Sequence, residues 1–128
     1  MTIRTARCQC GQLHVACEGD PVRASVCHCL DCQRRTGSAF GVQARFQKDR
    51  VAVTGSYRTW VRTGDEGSRL SFNFCPDCGS TVFYSNDQIP GFTMVTVGAF
   101  AEPQFPAPSV EIYENRRHPW CQITLDQR

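Results

Sequence analysis

Nine cysteines are spread along the 128 residues of this chain, and most of them sit beside another. The runs CQC at 8–10, CHCLDC at 27–32 and CPDC at 75–78 set sulfurs two or three residues apart. That spacing lets ligands converge on one ion, whereas a disulfide across C-x-C would be strained. Nine is odd, so a complete set of disulfides is excluded by count. In a reducing compartment the thiols stay available to metal as thiolates.

The pairs Cys8/Cys10 and Cys75/Cys78 are each followed at once by a glycine, Gly11 and Gly79. A glycine there allows a left-handed turn that aims successive amide hydrogens at the sulfurs. Four thiolates satisfy tetrahedral zinc and leave no position for a substrate, so this quartet reads as a structural zinc site. The alternative is four unligated buried cysteines. From Cys10 to Cys75 is 65 residues, so the ion would close half of the chain into one loop.

Cys27, Cys29 and Cys32 form a trio with no fourth ligand nearby in sequence. Zinc held by three protein ligands keeps one position for water or a substrate atom, as catalytic zinc does. A thiol docking there would be deprotonated, which makes an exogenous thiol the natural ligand. Side chains that could instead close the site from within are His14, Cys17, His28, His118 and Cys121. His28 lies between two ligands and points away from the ion if the backbone is extended. Cys17 alternates with Leu13 and Val15 as a core residue would, and Cys121 beside Trp120 reads either as core or as a reactive thiol. For the trio as a whole, a second structural site and a redox-active thiol group stay open as alternatives.

The elements that must position these sulfurs are short strands. Apolar residues alternate at Leu13, Val15 and Cys17, at Val51 and Val53, at Leu70, Phe72 and Phe74, at Val95 and Val97, and at Val110 and Ile112. Gly and Pro punctuate the gaps at 19–21, 54–56, 63–67, 89–91 and 102–108. The one helical stretch is CLDCQRRTG at 29–37, ended by Gly37. The pattern describes a single mainly β, antiparallel domain over residues 1–128, of about eight to ten strands, with cysteine loops at strand ends.

Composition narrows the partners. With 41% apolar and 20% charged residues the chain is that of a folded globular protein. A net charge of +2, from 14 basic and 12 acidic side chains, nominates no nucleic acid. No apolar run approaches a membrane span and the N-terminus carries no apolar leader, so a cytoplasmic location is expected.

CQCG at 8–11, CHCLDCQRRTGSAFG at 27–41, FCPDCGS at 74–80, VGAF at 97–100 and HPW at 118–120 together resemble the glutathione-dependent formaldehyde-activating enzymes, a family that includes relatives of centromere protein V. The resemblance implies a beta-tent fold, a structural zinc at Cys8, Cys10, Cys75 and Cys78, and a second, labile zinc at Cys27, Cys29 and Cys32 associated with glutathione. It also implies a carbon-sulfur lyase activity that forms S-hydroxymethylglutathione from glutathione and formaldehyde, or a related thiol and carbonyl reaction, in a monomer or homodimer. On that reading Arg34 and Arg35 would pair with the carboxylates of glutathione, and Ser38 with Phe40 would wall the pocket, although Phe40 also reads as core. His28 or water would protonate the alkoxide. Trp120 would cap the pocket or, more in keeping with its neighbours, anchor the last strand in the core, with Arg116 and Arg117 completing a basic patch. Two other classes explain part of the pattern: a non-catalytic zinc module that binds a macromolecule, and a thiol redox or zinc-storage protein built on the trio.

Overall fold

A computed structural model describes residues 2–126. Ten strands run in the order β1 (Ile3–Arg7), β2 (His14–Glu18), β3 (Arg23–Cys27), β4 (Gly41–Gln47), β5 (Val51–Thr54), β6 (Arg58–Thr63), β7 (Arg69–Phe74), β8 (Thr81–Asn86), β9 (Phe92–Thr96) and β10 (Val110–Ile112), with one helix, α1 (Leu30–Thr36), between β3 and β4. They build a three-stranded sheet, β1-β2-β5, and a seven-stranded sheet, β10-β3-β4-β9-β8-β7-β6. The fold is mainly β, as the alternating apolar pattern predicts.

Period-two alternation divides the large sheet into two faces. Ala44 and Phe46 of β4, Phe83 of β8 and Val95 of β9 turn to the small sheet and pack with Ala6, Val15 and Cys17. The intervening residues turn the other way. Tyr84 of β8 and Met94 of β9 cluster with Phe72, and Arg23, Ser25 and Cys27 of β3 line a cavity on that side with Gln43 and Arg45 of β4. One face is therefore core, and the other lines a cavity.

The sheets are antiparallel, as expected, with one parallel pair: β10 runs parallel to β3, Val110 opposite Ser25 and Ile112 opposite Cys27. A parallel neighbour needs a long crossover, and the proline-rich segment after β9 provides it. Val97, expected to continue a strand with Val95, instead starts a 3-10 turn, Val97–Phe100, which buries Phe100. In consequence β10 lies beside the trio.

Candidate metal centres and the cavity beside them

The chain folds seven of its nine cysteines into two groups, each with sulfurs within 4.8 Å of one another: Cys8, Cys10, Cys75 and Cys78, and Cys27, Cys29 and Cys32. Zinc-thiolate bonds of about 2.3 Å in a tetrahedron put sulfurs about 3.8 Å apart. In the quartet Cys8 and Cys10 are 3.6 Å apart and Cys10 and Cys75 3.7 Å. The donors around it suit negative sulfur. The Leu13 amide donates to Cys8 at 3.3 Å, the Asp77 amide to Cys75 at 3.4 Å, and Gln12 Nε2 to Cys75 at 3.0 Å. Bonds from Ser80, first its hydroxyl and then its amide, hold the Cys78 thiol down at about 5. Gly11 and Gly79 sit at φ of 86° and 80°, the left-handed turns expected of them. This donor set fits a four-coordinate ion with no open position.

The trio is assembled from the end of β3 and the start of α1. Cys27 closes the strand, and Cys29 caps the helix by accepting from the Cys32 amide at 3.2 Å. Bonds from the Cys27 and Cys32 thiols pull Cys29 down to about 2, against burial, and the nearby charge of Arg62 adds to the pull. The same bonds push Cys27 upward. Among the described residues no histidine, carboxylate or further cysteine joins the group.

All three sulfur-bearing residues line a cavity of about 300 Å³. Its inner wall is β3 paired with β4 in the register Cys27–Gly41, Ser25–Gln43 and Arg23–Arg45. The middle rung is tied by Gln43 Nε2 donating to Ser25 Oγ at 2.8 Å. Opposite stand Phe72 and Tyr84, rings 4.9 Å apart. The β6–β7 hairpin overhangs the mouth, and Arg62 reaches from it to Asp31 of α1 at 2.6 Å. Burial pushes the Tyr84 phenol upward, and thiolate charge on Cys32 adds to this. Tyr84 is therefore a neutral hydroxyl on the cavity wall.

The remaining candidates fall elsewhere. His28 is fully buried and off the cavity wall; its Nε2 donates to Glu111 Oε1 on β10 at 2.8 Å. It braces the loop that carries the trio and does not face the substrate space. Cys17 is buried between the sheets and Cys121 is buried as well; neither they nor His14 nor His118 lines the cavity. His118 Nε2 donates to Gln33 Oε1 at 2.9 Å, while Gln33 Nε2 donates to the His28 carbonyl at 2.9 Å. Arg34 and Ser38 line a separate shallow cleft on the outer side of α1, together with Trp120. Trp120 is 73% exposed, so it anchors no strand in the core. Arg35 lies over the rings of Phe72 and Tyr84, at 5.3 and 5.7 Å, without lining the trio's cavity. Phe40 packs 6.0 Å from the His28 ring. The guanidinium groups that do line the cavity are Arg23, Arg45 and Arg62. Sequence reading missed them and Tyr84, though the alternation in RASVC and in VQARF held the signal for Arg23 and Arg45.

A family model described as glutathione-dependent formaldehyde-activating enzyme matches residues 3–116. The crystal structure of a Rhodobacter sphaeroides protein aligns with a TM-score of 0.56 over 74% of this chain and 85% of that one, at 19% identity, a likeness of fold alone. A comparison with curated proteins found no match. No helix among the described residues is long and apolar enough to cross a membrane.

Proposed function

The chain belongs to the family of glutathione-dependent formaldehyde-activating enzymes, and on that premise we propose that it adds the glutathione thiol to formaldehyde, or to a closely related carbonyl, in the cavity beside Cys27, Cys29 and Cys32. The observation that carries this reading is the sorting of the sulfurs: a quartet that completes its own shell, and a trio that opens on a cavity. Zinc held by the trio would supply thiol activation, since a coordinated thiol is a thiolate at neutral pH.

The chain's own groups do the rest. Arg62 sets positive charge beside Cys29 and its link to Asp31 holds the β6–β7 hairpin over the cavity. A sulfur lone pair forms the new C–S bond as the carbonyl π pair moves to oxygen, and that oxygen takes one proton. Formaldehyde is a strong electrophile, so orientation is the larger contribution and proton delivery the smaller. Tyr84, whose phenol stays neutral on the cavity wall, would hydrogen-bond the developing alkoxide. His28, engaged with Glu111 off the wall, acts on the loop and not on the substrate.

The test is exchange spectroscopy on glutathione, formaldehyde and their adduct, with zinc per chain measured alongside. Wild type should speed the exchange. Cys29→Ser should lower the zinc content, abolish the acceleration and keep the fold, because Cys29 takes no part in the quartet. Acceleration unchanged in Cys29→Ser would refute the assignment.

A further inference from the structure

We propose that Arg23 and Arg45 form an anion subsite at the end of the cavity away from the cysteine trio, and that it restricts the thiol to one bearing a carboxylate a short peptide's length from its sulfur. The inference rests on the thiol-activating reading above and assigns the part of the substrate that does not react.

The backbone sets the geometry. Arg23, Ser25 and Cys27 occupy alternate positions of β3, so all three face the cavity. At about 3.3 Å per residue, Arg23 lies about 13 Å along the strand from Cys27. Arg45 is its direct cross-strand partner on β4. Directly opposed like charges repel, and here burial and the charge of Arg23 together depress the pKa of Arg45. Stacking at 5.5 Å over Phe92 holds Arg45 in place.

Neither guanidinium has a carboxylate within ion-pair distance among the described residues, whereas Arg62, in the same cavity, is paired with Asp31. The cavity's remaining acids, Asp65 and Glu66, sit on the β6–β7 hairpin tip, near enough to Tyr113 to raise its phenol after burial has done so. Two unpaired forks on adjacent strands fit a carboxylate bidentately, and an anion between them removes their mutual repulsion. A thiolate held at the trio and a carboxylate held here would stretch the ligand along the Ser25–Gln43 rung. Thiols without a remote anion would leave the two charges uncompensated.

The experiment measures binding by calorimetry to the zinc-loaded protein, with S-methylglutathione, which offers no thiolate, and its diethyl ester, which offers no carboxylate. Arg23→Gln and Arg45→Gln should each weaken S-methylglutathione about tenfold or more, the worth of a charge-assisted hydrogen bond. The diester should bind wild type and both variants within about twofold of one another, since it lacks the group being read. Undiminished binding of S-methylglutathione by both variants, or an equal loss for the diester, would overturn the subsite. If wild type binds neither glutathione nor S-methylglutathione, the functional reading falls with it. If wild type binds glutathione and speeds adduct exchange while both variants keep full affinity, only the subsite falls. Should Arg45→Gln not fold, Arg23→Gln and Arg45→Lys give the same comparison, the lysine keeping charge but losing the fork.

Discussion

Removing the N-terminal knuckle of the quartet, with Cys8→Ser and Cys10→Ser together, tests whether the ion is what holds the two sheets in register. Without it nothing ties residues 8–10 to residues 75–78 through sulfur, and a loop of 65 residues opens. The chain-entropy relation for a cross-link gives about 4 kcal/mol for closing a loop of that length. Complete zinc binding in small domains reaches about 10 to 16 kcal/mol, so the closure value is a floor. Domains of this kind are stable by only about 5 to 15 kcal/mol. With a urea dependence of about 2 kcal/mol per molar, the floor alone lowers the unfolding midpoint by about 2 M. Urea titration followed by circular dichroism reads this, with zinc per chain measured on the same samples. The double variant should lose one zinc and either drop by at least that midpoint or be unfolded in buffer. A variant that loses the zinc but keeps its midpoint within about 0.3 M would refute the structural role, because the closure argument depends only on loop length.

Two further outcomes follow from the buried groups. Glu111→Ala removes the acceptor of a fully buried His28, whose Nδ1 already lacks a partner among the described residues; the variant should lose about 1 to 3 kcal/mol in urea unfolding while keeping the quartet's zinc, and a loss under about 0.5 would show that the bond does not brace the loop. Burial holds the Cys17 thiol up at about 12 against an ordinary 9.0, so its neutral form supports the fold fully below about pH 9 and that support is lost as pH rises toward 12. Cys17→Val, which cannot ionise, should therefore show a shallower fall in melting temperature between pH 9 and 11 than wild type, and parallel curves would count against the assignment.

The cysteine clusters, the glycine turns behind Cys10 and Cys78, the short helix ended by Gly37 and half of the ten strands are local properties, fixed by spacing, by the need for positive φ and by period-two alternation, so they were legible residue by residue. Of the five strands that went unread, β1, β3, β4, β6 and β8, β3 and β4 carry polar residues at every second position on a face turned to a cavity, so apolar alternation does not mark them. For the same reason Arg34 and Arg35 attracted notice by lying next to the trio in sequence, although α1 carries Arg34 to its outer side. Which sulfurs would group followed from their spacing in the sequence, whereas whether a histidine or a further cysteine would close the trio stayed open until the fold kept them apart from it. Only the tertiary structure decided what the open group faces. The parallel placement of β10, the overhanging β6–β7 hairpin and the pairing of Arg23 with Arg45 each depend on contacts between residues far apart in the chain, and no local pattern encodes which distant side chains will share one cavity.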